Sequence, residues 1–374
     1  MPVYSWSRPN IQETDSLAVA RAVDSTWVSG GNELTILKEN LRNFTEAQNL
    51  TLVSNGTTAL AATFLSLDLE PGDEVIVPAF GFMAAANVLI QMGATPIFAD
   101  VNEFTWCIDK KSIEKCVSNR TKAVVITHSY GNSDQVEEIA EYVQMTLRIP
   151  LVEDAAEALG SRSNGKAFGT FGDFGTYSFH ATKLITTGEG GAIAYQDNRF
   201  AEKLNLIISH GLDRVNHYLH QLPGTNYRMP NLCAALGNSQ FSRIGSFIES
   251  RREIDDYYRN ALEKSSVLSL IKFQTKYSNE IVPWSFPVQI LNADLRTLSF
   301  LTTKLESVGI EVRPGFKTPN FLPYLRNKVS TKDFPISYRL SQSILSLPAY
   351  PYLKERDVQY ICKYFVEFLE MIPK

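Results

Sequence analysis

The chain has few cysteines and no concentrated charge. Its four cysteines, Cys107, Cys116, Cys233 and Cys362, are scattered through 374 residues without paired metal-ligand spacing, so reduced, mostly buried thiols are expected, with neither zinc nor disulfides. His210, His217 and His220 match no strong metal-ligand signature. With 36 Lys+Arg against 40 Asp+Glu, a net charge of −4 and no dense basic run, the composition argues against non-specific nucleic-acid binding. No apolar run reaches the roughly 18 residues needed to span a bilayer. Met1 to Arg8 lacks the basic start and apolar core of a secretory signal. A soluble, cytoplasmic protein with no membrane partner is the expectation. Repeats and low-complexity tracts are also missing, which excludes a solenoid.

What is present is a hydrophobic fraction of 44%, enough for a large core. At this length the chain is expected to divide, because single cores stop growing near roughly 250 to 300 residues. Short apolar runs at Leu50–Val53, Glu74–Val77, Thr95–Phe98, Ala123–Thr127 and Pro150–Val152 read as strands covered on both faces. Helix-length stretches at Thr57–Leu69, Met83–Met92 and Val136–Val143 separate them. This α/β alternation predicts a mainly parallel sheet with its ligand at the carboxyl ends of the strands. After about Phe247 the pattern changes to a helix (Ile248–Leu262), a strand (Ile281–Gln289), a helix (Asp294–Val308), a short strand (Ile310–Arg313) and a closing helix (Glu355–Met371). The expected organisation is therefore a large α/β domain at 1–246 and a smaller α+β domain at 247–374.

Several residues in this frame have chemical uses. Ser54-Asn-Gly-Thr-Thr-Ala-Leu60 follows the first strand and opens a helix. Gly56 allows close backbone approach, and free amides at Thr57 and Thr58 would bind a phosphate; the same residues also read as a plain helix cap. Phe82, after the second strand, is placed to stack on a flat heterocycle or to pack in the core. Glu153, Asp154 and Glu157 lie just past a buried strand, where unpaired acids are costly. Asp154 suits the protonated nitrogen of a pyridine ring, whereas Glu153 and Glu157 also fit an acidic helix start. Ser178 can hydrogen-bond a phosphate. Lys183 stands between a strand-like run and the glycines Gly188, Gly190 and Gly191, an amine suited to a cofactor aldehyde. Cradle, aromatic, aspartate, serine and lysine together carry more than any one of them.

With these motifs the chain resembles the DegT/DnrJ/EryC1/StrS family over nearly its whole length. The resemblance rests on Ser25–Gly30, Asn55–Leu60, Pro71–Pro78, Val152–Glu157, Lys183 with Thr186–Gly191, and Asn226–Met229 leading to Ala234–Gly237. It implies a fold type I transferase dependent on pyridoxal 5′-phosphate, with a seven-stranded sheet in the large domain. Lys183 then corresponds to the Schiff-base lysine, Asp154 to the partner of the ring nitrogen, Phe82 to the stacking aromatic, and Ser178 with the Gly56 loop to the phosphate site. Glu157 stands near the phenolic oxygen, where many relatives have glutamine. Asn226 matches an asparagine reaching the phosphate from a second subunit, which implies a homodimer with shared active sites.

Phe104–Trp106, His128–Gly131, His217–His220 and Arg251–Ile254 resemble the perosamine-type subgroup, 4-aminotransferases acting on a nucleotide-diphosphate 4-keto-6-deoxy sugar with L-glutamate as amino donor. Val312–Gly315 replaces the His-Tyr-Pro step of 3-aminotransferases, pointing to carbon four. His180 and Asn320 depart from the subgroup pattern where the sugar is expected, and join Trp27, Ser29, Arg228 and Arg313 as substrate candidates. A buried supporting role for His180 and salt bridges for the two arginines are the plainer alternatives. A sugar 3-dehydratase would have histidine at the position of Lys183, and a ligand sensor or scaffold would not need Lys183, Asp154 and Ser178 together.

Overall fold

The computed structural model describes residues 3–212 and 218–372; His217, named above, lies outside them. Thirteen strands occur in the described residues: β1 Asn49–Val53, β2 Glu74–Pro78, β3 Thr95–Ala99, β4 Thr121–Thr127, β5 Leu151–Asp154, β6 Arg162–Ser163, β7 Lys166–Ala167, β8 Phe174–Ser178, β9 Gly191–Tyr195, β10 Ile271–Phe273, β11 Phe286–Ile290, β12 Arg313–Pro314 and β13 Ile344–Leu347. Seven form the main sheet in the order β1-β9-β8-β5-β4-β2-β3. Only β9 runs against the others, pairing antiparallel with both β1 and β8. The mainly parallel seven-stranded sheet expected from the sequence is present.

The unalternating apolar strands follow from cover on both faces. Period-two geometry sends Ile76, Val124 and Ile126 to one core with Leu37, Leu41 and Ala192, while Val75, Val77, Ala123 and Val125 join Leu60, Phe64 and Ile193 in the other. Each fully buried Val, Leu, Ile or Phe contributes about 1.5 to 3 kcal/mol, so both layers are held strongly. Of the cysteines, Cys107 and Cys362 are buried and Cys116 and Cys233 half-buried.

The C-terminal part builds its own antiparallel sheet, β10-β11-β13-β12. A separate core, including Tyr258, Phe286, Val288, Leu301 and Phe365, packs around it. The helix Ile244–Glu263 crosses position 246/247. Tyr4 bridges to Ile310, and the Trp6 carbonyl accepts the Ala349 N–H at 3.0 Å, so the first residues join the C-terminal part rather than the main sheet.

Two expected strands begin late: Ile310–Arg313 is replaced by β12 at Arg313–Pro314, and Ile281–Gln289 is shortened. Ile281–Ser285 does not pair in the sheet, and β11 starts at Phe286. Backbone groups of this segment are engaged elsewhere: the Val282 N–H donates to Ser161 Oγ at 2.9 Å, and the Trp284 N–H to the Tyr130 carbonyl at 3.2 Å. Gly131, at φ +89°, packs beneath it, and a Cβ there would come within 2.3 Å of the Val282 carbonyl oxygen. The segment is thereby held against the turn that follows β4 and against Ser161.

Candidate active site

Register in the sheet assembles the first part of the site. Gly191 of β9 lies opposite both Val53 of β1 and Ser178 of β8, which brings the helix start after β1 onto Ser178. A Cβ on Gly56 would come within 2.9 Å of Ser178 Cβ, so glycine is required by this approach. Asn55 caps the helix Gly56–Ser66 by accepting the Thr58 N–H at 2.8 Å, and Thr58 Oγ1 in turn accepts the Asn55 N–H at 3.0 Å. The Thr58 amide, expected to be free for an anion, is therefore occupied. The amides of Gly56 and Thr57 have no acceptor among the described residues and remain for a phosphate beside Ser178. Phe82, after β2, presents an exposed ring, 65% accessible, rather than packing in the core.

Strand geometry then sorts the three carboxylates. Glu153 and Asp154 are adjacent on β5 and so point to opposite faces. The Glu153 carboxylate is fully buried and accepts the Gly169 N–H at 2.8 Å and the Gly172 N–H at 2.6 Å. It also lies 2.8 Å from His128 Nε2. These partners satisfy a buried charge, and Glu153 is structural. Asp154 is buried on the ligand side, with its Oδ1 accepting the Ala156 N–H at 3.2 Å. Burial raises the Asp154 carboxyl above its ordinary value, opposed by the Ala156 N–H and by the charges of Lys183 and His128. Among the described residues no cation is in a direct ion pair with Asp154, and a cationic ring nitrogen would be such a partner.

Lys183 lies in the β8–β9 connection, mostly buried. Its Nζ is 3.6 Å from Glu157 Oε1 and 4.1 Å from the centroid of the Trp284 ring. Burial pushes the Glu157 carboxyl up to about 7, against the opposing effects of Lys183 and the Tyr130 N–H. That N–H donates to Glu157 Oε2 at 2.8 Å. Trp284 is fixed on several sides. Its Nε1–H donates to the Thr182 carbonyl at 2.8 Å, its carbonyl accepts from Arg251 at 2.8 Å, and Trp6 packs edge-on at 5.3 Å.

The remaining candidates divide between surfaces. His180 is not a buried support: its side chain is 48% exposed, with Nδ1 3.1 Å from Thr182 Oγ1. Trp27, Ser29, Asn226 and Arg228 gather elsewhere. Asn231 bonds the carbonyls of Trp27 and Ser29 at 2.6 and 2.8 Å, and Arg228 Nε donates to Asn226 Oδ1 at 3.2 Å. Ser29 and Arg228 line one cavity of about 260 Å³. Among the described residues no hydrogen bond or ion pair joins this group to Lys183. Arg313 is in an ion pair with Glu311, two residues away in the same segment, and Asn320 accepts from Thr318 at 2.8 Å. A larger depression, about 710 Å³ between Phe104, Lys110 and Tyr277, contains none of the candidates. Among the described residues no His, Cys, Asp and Glu cluster could hold a metal.

The sequence reading missed Trp284 and the part played by Tyr130. Tyr130 carries one available signal, the Tyr-Gly step just after a buried strand; only the structure shows its φ of +61°, which in a non-glycine residue marks a constrained site. Trp284 gives none locally, since its place depends on contacts distant in sequence.

The residues at the strand ends fit a phosphorylated pyridine aldehyde: a close glycine–serine cradle with free amides, a buried carboxyl in no direct ion pair among the described residues, and an enclosed primary amine. Comparison with known proteins agrees with this chemistry. The DegT/DnrJ/EryC1/StrS aminotransferase family model matches residues 9–366. The chain is 36% identical to GDP-perosamine synthase of Escherichia coli O157:H7, covering 98% of both chains, and 32% identical to GDP-perosamine synthase of Vibrio cholerae, covering 100% of both. Its fold superposes with a TM-score of 0.92 on a Streptococcus pneumoniae protein described as a sugar aminotransferase in its PLP form, at 25% identity over 100% of each chain. The chain belongs to the DegT/DnrJ/EryC1/StrS aminotransferase family.

Proposed function

We propose that the protein is a pyridoxal 5′-phosphate-dependent aminotransferase that moves an amino group from L-glutamate to carbon four of a nucleotide-diphosphate 4-keto-6-deoxy sugar, for surface polysaccharide synthesis in the cytoplasm. The observation that carries this reading is the convergence of Lys183, Asp154, Glu157, Ser178 and Gly56 at the carboxyl ends of three strands, β1, β5 and β8. When bound, the cofactor supplies a reactive aldehyde and a ring that accepts electrons. Ser178 and the Gly56 and Thr57 amides would hold its phosphate, Asp154 its ring nitrogen, Glu157 its phenolic oxygen, and Phe82 its face. Lys183 supplies the amine that attaches it, and moves a proton at the substrate carbon as acid and base. Trp284 covers one side of that amine with its ring.

The sugar assignment draws on the likeness to GDP-perosamine synthases. Purified protein incubated with glutamate and a panel of 4-keto and 3-keto nucleotide sugars should yield an aminated product, by mass, only from 4-keto sugars. Amination of 3-keto sugars alone would overturn the regiochemistry; a deoxygenated product would favour a 3-dehydratase.

A homodimer with shared sites is part of the same reading. Its support is the exposed cluster Trp27, Ser29, Asn226 and Arg228, with Trp27 67% accessible, which among the described residues makes no hydrogen bond or ion pair with Lys183 of the same chain. If Asn226 serves the opposite subunit, mixing inactive Lys183→Ala and Asn226→Ala chains should restore about a quarter of native activity, since about half the dimers are mixed and each has one intact site. No recovery after verified subunit exchange would place Asn226 in its own chain's site. The same reading divides the chain into a large domain at 1–246 and a smaller one at 247–374, joined through the helix Ile244–Glu263.

A further inference from the structure

The amine of Lys183 is enclosed by groups from two distant segments. Glu157 Oε1 lies 3.6 Å away, and the Trp284 ring centroid 4.1 Å. A nearby carboxylate and an aromatic face both favour an ammonium over a neutral amine. Only the neutral amine attacks a carbonyl carbon, so a proton must leave Lys183 before it reacts. We infer that Glu157 takes and stores that proton, and that Trp284 is a positioning residue that cradles the Lys183 ammonium whenever the side chain is not covalently engaged. The inference gives the aminotransferase reading its proton acceptor and rests on that reading for its purpose.

The transfer is balanced within the pair. An N–H bond of the ammonium breaks as an O–H bond forms on Oε1, leaving a neutral amine and a neutral carboxylic acid, with no further reagent. One short turn arranges both partners. The Tyr130 N–H holds Glu157 Oε2 at 2.8 Å, which leaves Oε1 toward Lys183. The Tyr130 carbonyl accepts the Trp284 N–H at 3.2 Å, which sets the indole on the other side. Burial brings the Glu157 carboxyl to about 7, so it can hold or release a proton near neutrality.

Other charged or titratable groups around the pair are accounted for. Asp154 acts on Glu157 from β5 and is itself affected by Lys183 and His128. Tyr130 and Cys107 face Glu157 and are raised mainly by burial and in part by its charge. Arg251, from the helix Ile244–Glu263, lines the same small cavity as Glu157 and Lys183, but its guanidinium bonds the carbonyls of Trp284 and Ala349. His180 and Glu189, on the lysine's own connection, face each other at 3.9 Å.

Competitive labelling tests this on the full-length chain stripped of cofactor. Trace acetic anhydride is pulsed across a pH series, and acetylation of Lys183 is followed by peptide mass spectrometry. In Glu157→Gln, which keeps an acceptor for the Tyr130 N–H, the labelling midpoint should move down by about 1 to 3 pH units. Trp284→Leu should move it down by less, and Trp284→Phe, which keeps an aromatic face, should recover most of that shift. An unmoved midpoint in a Glu157→Gln chain with native melting would overturn the proton store. Equal shifts in the Leu and Phe variants would overturn the cradle. Infrared titration of the native fold gives a second readout: the acid band lost in Glu157→Gln should disappear at higher pH in Lys183→Ala than in wild type, and an unchanged midpoint would again count against the pair. A chain that labels as expected yet aminates no keto sugar would overturn the proposed function and leave this inference standing.

Discussion

Replacing Lys183 by alanine should lower amination of a 4-keto nucleotide sugar by roughly 10⁴-fold or more, because proton transfer by a positioned side chain alone is worth about 10² to 10⁴ and covalent attachment is lost as well. The fold should survive. The side chain makes its polar contact with Glu157 and packs on Trp284, and neither partner is then left as an uncompensated charge: Glu157 is already raised to about 7 by burial, and losing its cation moves it further toward the neutral acid. Native melting with abolished turnover is therefore the expected pair of results. Borohydride reduction of the cofactor-loaded protein should place a cofactor mass on the Lys183 peptide of wild type and on none in the variant. Retained glutamate-dependent turnover in Lys183→Ala would remove the lysine from the chemistry.

Asp154→Asn should cost about 10² to 10³ in kcat, the size expected when a preorganised charge is removed from a water-poor site. Asparagine conserves the volume and can still accept the Ala156 N–H, so the loss isolates the charge. The pH profile separates this from a structural effect. Burial raises the Asp154 carboxyl in the cofactor-free chain, with Ala156, Lys183 and His128 opposing, and a cationic ring nitrogen beside it would lower it again, so its protonation in the loaded enzyme falls at lower pH than in the free chain. Wild-type activity should thus decline on the acid side as Asp154 becomes neutral, and that limb should vanish in Asp154→Asn. An unchanged acid limb would assign it to another group. Full activity in the variant would remove Asp154 from the ring-nitrogen role.

The reactive residues were legible because their signals are local. Lys183 lies between a buried strand and a glycine-rich loop, and Asp154 ends a strand whose alternation separates it from Glu153. Gly56 stands at a helix start that needs close approach. Thr58 shows where local reading fell short: its amide is consumed by Asn55, and only the cap geometry reveals this. The expected strand Ile281–Gln289 is shortened to its second half, and Ser161 and Tyr130, distant in sequence, accept backbone N–H groups of the first.

By itself, then, the sequence determined the parallel α/β sheet, the family and the groups that meet a cofactor, since periodicity and turn chemistry act over a few residues. Tertiary structure decided the surroundings of the amine. Glu157 and Trp284 flank Lys183 because a turn at Tyr130 and Gly131 fixes both, and a burial-shifted carboxyl can exist only after distant segments have excluded water from it.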